Sequence, residues 1–565
     1  MNQDRSTATG QGSSGWPCDG LPADWDPFLD LLVVCGGNAR AALAGWPEGG
    51  RGIAFVPPDA VEADSPAHVP VARNPAELLK AVLALVGPAP RRVRVVSSGD
   101  PWAGEDRQRE VARILGDAVR SKHLQHNTVL RSGPTWLEHS IANLPRVATR
   151  PSIAALQGAF RGRPALLVSP GPSLSRNVAR LAELEGRAVV LTGTHALGVL
   201  QSHGVRPDLV LASDPGDLLR HWRGVAPERV GGLVVSVSCH PSLFELATPS
   251  QFTFGANAEI DGWIFDALGE AAHLATGGSV ACSALSLAVY MGCDPIALVG
   301  QDLSFSDGRY YAEGGLDGDA RVERGAGGSF FLRKPAGSEG PGAELEDGSV
   351  RFTRDQRLFE VPAYGGEGTV LTSEVLRSFL IWFEAMAGSI EGTRVWNCTE
   401  GGARIAGTRE LPLVEALALW ETGAVEAAPV LARAVDSVDV PARTRRIREH
   451  VESLLADLEP CLAAARECRE LSAGAARSTH RLDRLAAAEV RLKQSLKPLR
   501  LLSVYAQKEI SEARSRARRA ETVEQNLAAA RELFDVVFRG VERLRGPLRG
   551  ALGALREVVP DQESV

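Results

Sequence analysis

This 565-residue chain has no excess of positive charge, few aromatic residues and no long apolar run. Lys and Arg number 62 against 69 Asp and Glu, a net charge of −7, so the chain as a whole lacks the field that attracts nucleic acid. Aromatic residues make up only 5%. No apolar stretch approaches the roughly 18 residues that span a bilayer, so no transmembrane helix is expected. The eight cysteines, at 18, 35, 239, 282, 293, 398, 461 and 468, contain no CxxC pair. Isolated reduced thiols are therefore expected, rather than disulfides or a metal site; Cys461 and Cys468 share a helix face but lie two turns apart. Met1 to Gly20 is polar and rich in Gly and Ser, without the basic and apolar regions of a signal peptide. These features predict a cytoplasmic protein, and the length predicts three or four domains at roughly 150 residues each.

What is present is a succession of short apolar strands and amphipathic helices. Residues 1–26 read as disordered. Residues 27–103 alternate strand and helix: Leu31 to Cys35, a helix from Ala39, Ile53 to Val56, a helix Pro75 to Val86, and Val93 to Ser97. This is a small α/β domain, and its Gly36-Gly37-Asn38 turn lacks the third glycine of a dinucleotide fingerprint. Residues 104–160 read as a helical connector. The histidines there, His123, His126 and His139, have no metal-ligand spacing. From 411 to 565 the pattern is helical. Leu482, Leu485, Leu492, Leu496 and Leu499 recur at intervals of three, four or seven, as do Leu527, Phe534, Val541, Leu544 and Leu548. Pro498 and Pro547 mark kinks or ends, and Arg514, Arg516, Arg518 and Arg519 read as a solvated face.

The central region, 161–410, repeats strand, polar turn and helix. Ala165 to Val168 is followed by Ser169-Pro170-Gly171-Pro172-Ser173, with Ser173 placed to cap a helix from Leu174. Ala188 to Thr192 ends at Gly193-Thr194-His195. Leu209 to Ala212 ends at Ser213-Asp214-Pro215, and Leu233 to Val237 ends at Ser238-Cys239-His240. Thr276-Gly277-Gly278-Ser279 opens a helix, and Ile296 to Val299 ends at Gly300-Gln301-Asp302. Such alternation implies a mostly parallel, doubly wound sheet, in which ligands sit beyond the carboxyl ends of the strands. Glu313 to Gly348 holds ten glycines and many charges, which argues against a packed core there and for a mobile lid or a disordered insertion.

The chain resembles the motility-associated factor (Maf) family of flagellin glycosyltransferases. The resemblance rests on Gly171-Pro172-Ser173-Leu174, on Gly204-Val205-Arg206-Pro207-Asp208 leading to Ser213-Asp214-Pro215, and on Gly278-Ser279-Val280-Ala281. It also rests on Gly292-Cys293-Asp294-Pro295 leading to Gln301-Asp302-Leu303, and on Asn397-Cys398-Thr399-Glu400-Gly401-Gly402-Ala403. Ser169-Pro170 departs from the family, which has a Gly and a small residue there. The resemblance implies a sialyltransferase-like central fold. It also implies transfer of a nonulosonic, sialic-acid-like sugar from a CMP-sugar donor to Ser or Thr of flagellin; the amphipathic C-terminal helices, which can offer a groove to a partner, are the expected docking surface for that acceptor. The central region is also similar to 6-hydroxymethylpterin pyrophosphokinase-like proteins, so diphosphate transfer to a pterin-like alcohol stays open, as does a non-catalytic flagellin-binding or chaperone role.

Sugar transfer requires a stabilised leaving phosphate and a group that relieves the acceptor hydroxyl of its proton. Gly171, Pro172 and Ser173, with Thr276, Gly277, Gly278 and Ser279, form two strand-to-helix turns whose N–H groups suit a phosphate. Thr194, Ser213 and Gln301 are further candidates for contacting nucleotide or sugar. Asp214 and Asp302 are candidates for holding ribose hydroxyls or a divalent metal ion, or for serving as base. His195 is a second candidate base, and Glu400 a third, beside Gly401-Gly402.

Overall fold

The computed structural model describes residues 30–560 except 45, 49, 61–67, 86–92, 100, 326–328, 339–341, 353–355, 421–422, 474–478, 497–500, 502–503, 506–507, 511, 514–515 and 517–521. The expected disordered start, 1–26, lies outside the described residues, as do Pro498, Leu499, Arg514, Arg518 and Arg519. The chain divides into two compact units, Met1–His126 with Glu384–Ile390, and Asn127–Phe383 with Glu391–Val565.

In the first unit, β1 (Leu31–Cys35), β2 (Gly52–Phe55), β3 (Val71–Ala72) and β4 (Val93–Ser97) pair in parallel in the order β3-β2-β1-β4. β1 is buried along its whole length, as its unbroken apolar run requires for a strand covered on both faces. The helix Pro75–Leu85 begins where Asn74 accepts the Glu77 N–H at 2.9 Å and Glu77 accepts the Arg73 N–H at 2.7 Å, a reciprocal cap with proline at the first helical position. The helix expected from Ala39 is a single turn, Ala39–Ala42.

The second unit is built on β5 (Ala165–Val168), β6 (Val189–Gly193), β7 (Leu209–Ala212), β8 (Gly232–Ser236), β9 (Gln251–Phe254) and β10 (Ile296–Val299). After β10 the chain forms β11 (Arg321–Arg324), β12 (Ser329–Lys334), β13 (Ala343–Glu344), β14 (Val350–Arg351), β15 (Gln356–Pro362) and β16 (Thr369–Ser373). It then returns through the helix Glu374–Ala387 to β17 (Val395–Asn397) and β18 (Arg409–Glu410). The large sheet is parallel, in the order β18-β17-β10-β5-β6-β7-β8-β9. From β5 the chain steps outward on one side to β9, then crosses back to place β10 on the other side of β5. The order in which strands are added therefore reverses between β5 and β10, and the crevice outside their carboxyl ends is the switch point where doubly wound sheets bind ligands.

β11 to β16 correct the expectation for residues 313–348. The segment contributes β11, β12 and β13 to an antiparallel sheet and is not a disordered insertion. Phe305, Phe330 and Leu332 form its core, and Lys334 pairs in the interior with Asp317. Ten glycines hid this because antiparallel pairing is made by the backbone and needs few large side chains when one compact cluster covers a face.

The helices Val440–Ser472, Thr479–Leu496 and Val523–Val558 form the C-terminal bundle, burying Ile447, Val451, Leu458, Leu485, Leu492, Val541, Leu544 and Leu548. The leucine stripe is thus core, as its spacing suggests. Pro547 lies within the last helix and does not end it. Arg516 pairs with Glu532 at 2.8 Å, consistent with a solvated face. The described cysteines are buried and unpaired with one another, and no described helix is long and apolar enough to cross a membrane.

Candidate functional site

At the switch point the end of β10 folds onto the turn after β5. Gly171 N–H donates to the Gly300 carbonyl at 2.9 Å, and Ser169 donates to the side-chain oxygen of Gln301. Asp302 then receives the Ser173 N–H at 3.2 Å and the Ser173 hydroxyl at 2.6 Å on one oxygen, and the Ser306 hydroxyl at 2.9 Å on the other. Gly171 is required for this approach, because a Cβ there would lie 2.2 Å from an Asp302 carboxylate oxygen and 2.3 Å from the Gly300 carbonyl oxygen. Burial pushes the Asp302 carboxyl above the usual range, opposed by the hydrogen bonds from Ser173 and Ser306 and by the Arg176 charge.

Two expectations are corrected here. Ser173 makes no capping bond with its side chain, since its hydroxyl is committed to Asp302. The N–H groups expected to cradle a phosphate are also taken: Pro170 and Pro172 have none, and those of Gly171 and Ser173 are used within the fold. The anion at this helix N-terminus is the chain's own carboxylate.

The second turn is different. Ser279 accepts the Ala281 N–H at 3.4 Å, capping the helix Val280–Tyr290 as its position predicts. The Ser279 N–H, like that of Gly277, is directed at the Cys282 sulfur, whereas among the described residues the N–H groups of Gly278 and Val280 have no acceptor. Gly278 is exposed, with φ +88°, and Val280 half-buried, at the N-terminus of an 11-residue helix. Gly277 is buried against Trp382, and Thr276 donates to the Ala256 carbonyl at 3.1 Å. Val280 reaches the end of β6, where a Cβ on Gly193 would lie 2.6 Å from its methyl.

Beyond Gly193 lies a cluster of rings. His195 and His221 pack with centroids 4.1 Å apart, and Tyr311 lies 5.3 Å from His195. Burial pushes His195 down to about 4, with the Arg220 charge acting the same way and the charges of Asp317 and Asp214 opposing it. Burial likewise pushes His221 down to about 3, helped by His195 and Arg220, so both imidazoles are neutral at physiological pH. Asp214 is exposed, and one of its oxygens closes an Asx turn by accepting the Gly216 N–H at 2.7 Å, while Ser213 beside it is half-buried. Glu400, with φ +56°, accepts from Asn177 at 3.0 Å and from the Leu413 N–H at 2.9 Å, which ties the end of β17 to two helices. Gln301 donates its N–H to the Thr399 hydroxyl at 3.3 Å.

Asp214 and Asp302 are not brought into one metal-sized group; among the described residues no three His, Cys, Asp or Glu side chains are so gathered. Donors, neutral imidazoles and one exposed carboxylate instead line the carboxyl edge of a parallel sheet at its switch point, an arrangement suited to a nucleotide and a second substrate.

Residues 138–308 match the family model of MptE-like 6-hydroxymethylpterin diphosphokinases. That span contains β5 to β10, the Gly171 turn, the Gly278 turn and Asp302. A protein of Treponema pallidum (strain Nichols), described as uncharacterized, is 26% identical over 251 residues. The match covers 39% of this chain and 60% of that protein's length. A solved structure, a Maf glycosyltransferase from Magnetospirillum magneticum AMB-1, aligns over 94% of this chain and 81% of its own, at 14% identity and a TM-score of 0.49.

Sequence reasoning missed Ser306, Arg220, His221 and Tyr311. Ser306 and Tyr311 lie between Asp302 and the glycine-rich segment from Glu313, where no strand or helix period stands out. Arg220 and His221 sit on a 3-10 turn, Leu219–Trp222, whose shortness leaves no periodic pattern to detect. The one available signal was the spacing of Leu218 and Trp222, both buried, which fixes that turn against β7 and β8.

Proposed function

We propose that the protein is a glycosyltransferase that moves a nonulosonic sugar from a CMP-sugar to a Ser or Thr hydroxyl of flagellin. The observation that carries this reading is the pair of N–H groups at Gly278 and Val280, without an acceptor among the described residues, at a helix N-terminus beside the carboxyl end of β6 and close in the sheet to the switch point. The order and spacing of the Maf-like motifs around these turns supply the identity of donor and acceptor.

In this reading the leaving CMP phosphate is stabilised by the Gly278 turn as the bond from the anomeric carbon to the phosphate oxygen breaks. Asp214, exposed and with one oxygen outside its Asx turn, takes the proton of the acceptor hydroxyl as that oxygen bonds to the anomeric carbon. Asp302 holds the ends of β5 and β10 together and keeps Gln301 and Ser173 in place. Neutral His195 and Thr194 line the sugar side, and Glu400 fixes the loop that closes the crevice. The acceptor protein docks on the C-terminal helices, where Val490 and Val523 are exposed. Cytidine monophosphate released only when flagellin and a CMP-nonulosonate are both present supports the reading, and Asp214→Asn should abolish that release. Release unchanged in both Asp214→Asn and Asp302→Asn would overturn the catalytic roles.

The family match over residues 138–308 favours a second reading, diphosphate transfer from ATP to a pterin-like alcohol. The same turn would then hold the nucleotide's phosphates. AMP formed from ATP in the presence of 6-hydroxymethylpterin, with no CMP release, selects it.

A further inference from the structure

We infer that Arg220, held in place by His221, binds an oxyanion of the substrate at the ends of β6 and β7. This anion is either the carboxylate of an acidic transferred group or a phosphate. The inference deepens the transferase reading and rests on it only for which of these anions is bound.

The turn bearing Arg220 is fixed at both ends. Leu218 and Trp222 are buried in the core beneath β7 and β8, and Asp217 accepts the Leu219 N–H at 3.0 Å. From this turn His221 points inward, buried, and its Nδ1 lies 2.7 Å from the Thr194 hydroxyl. Its Nε2 lies 3.2 Å from Arg220 Nε. A guanidinium Nε carries a hydrogen and cannot accept, so His221 Nε2 must be the bare nitrogen and Nδ1 must carry the proton, donated to Thr194. The chain from Arg220 through His221 to Thr194 thus has a single direction and orients the guanidinium plane.

That arrangement occupies Nε and leaves the two terminal nitrogens, the fork that matches carboxylate and phosphate oxygens in pairs. Among the described residues no carboxylate lies within ion-pair distance of Arg220. Of the two acids whose charges reach the neighbouring His195, Asp317 is paired with Lys334, and Asp214 is turned onto the Gly216 N–H. A cation oriented by a buried neutral imidazole and unmatched by any acid is suited to an anion from outside the chain. Its surroundings fit this role: His195 and Tyr311 line the same edge, and the Gly278 turn meets the adjacent residue of β6, Gly193.

The test is titration calorimetry on the full chain with four probes: inorganic phosphate, N-acetylneuraminate, CMP and CMP-N-acetylneuraminate. In Arg220→Gln, affinity for the anion concerned should fall by about 10- to 100-fold, the loss expected for one charge-assisted pair. Loss for N-acetylneuraminate and CMP-N-acetylneuraminate, with CMP unchanged, identifies a carboxylate. Equal loss for phosphate, CMP and CMP-N-acetylneuraminate identifies a phosphate. Arg220-dependent phosphate binding by a chain that takes neither cytidine compound upholds the inference while the CMP-sugar reading fails. Cytidine compounds bound equally by wild type and Arg220→Gln overturn the inference and leave that reading standing. A wild-type chain that binds none of the probes overturns both. His221→Ala should weaken binding in the same direction by a smaller factor, and His221→Gln, whose amide oxygen can accept from Nε, should restore it. A merely structural His221 would lower stability in both variants without this rescue.

Discussion

The turns at Gly171 and Gly278 both lead from glycine into a helix at the carboxyl edge of one sheet, yet one is filled and the other open. At Gly171 the helix N-terminus receives Asp302 from the neighbouring strand, and the proline residues on either side remove two donors. At Gly278 the cap is supplied locally by Ser279, and among the described residues the N–H groups of Gly278 and Val280 have no acceptor. A helix N-terminus attracts an anion in either case. What differs is whether the fold provides that anion itself. The filled turn is built into the core and holds the switch point together, whereas the open one is left for a ligand.

The comparison is most severely tested at Gly171. Gly171→Ala should destabilise the protein by about 3 kcal/mol or more, since the new Cβ meets carboxylate and carbonyl oxygens at 2.2 and 2.3 Å. Urea denaturation measures this, and a near-neutral result would mean the turn is not tightly closed. Asp302→Asn keeps the shape but replaces a charged acceptor of three hydrogen bonds. A loss of about 2 kcal/mol is expected, with transfer activity falling as the β5 and β10 ends loosen. Phosphate binding should persist in that variant, because the open turn is elsewhere.

Gly278→Ala should cost less, about 1 to 2 kcal/mol, from a left-handed φ of +88° and a Phe379 ring carbon at 3.2 Å. Its larger effect should be on phosphate-induced thermal stabilisation, which would disappear if the open N–H groups hold the ligand. The smallest effect on ligand binding is expected at the opposite edge of the sheet. Asp208, which accepts the Val190 N–H at 2.8 Å, is pushed up to about 6 by burial. An acid whose pKa is raised by folding holds its proton more tightly in the native state, so its contribution is full below about pH 4 and is lost as pH rises to about 6. Asp208→Asn should remove a decline of about 3 kcal/mol across that window, followed by chemical denaturation at each pH, and leave phosphate binding unchanged.

The alternation of apolar runs with polar turns made the parallel sheet legible, because a strand covered on both faces must be continuously apolar. Ala165–Val168, Leu209–Ala212 and Ile296–Val299 form strands at the expected residues. The short β17 and β18 and the antiparallel β11–β16 were not legible. Their pairing is made by backbone groups whose partners the side chains do not announce, and Phe305, Phe330 and Leu332 are too few to form a periodic pattern. Ser173 shows the same limit at the site. Its position is that of a cap, but a hydroxyl takes the strongest acceptor within reach, and here that is a buried carboxylate.

By itself the sequence determined where strands end and helices begin, and therefore that glycines, serines, acids and histidines gather at one edge of a parallel sheet. These are local properties, set by hydrophobic period and turn chemistry within a few residues. The tertiary structure alone decided which turn keeps its donors, which histidines are neutral and which arginine stands unmatched. Asp302 lies 129 residues from Ser173, and His221 lies 27 from Thr194. Contacts of that kind depend on the crossing of β10 to the far side of β5 and on the docking of one short turn, and both are settled by packing.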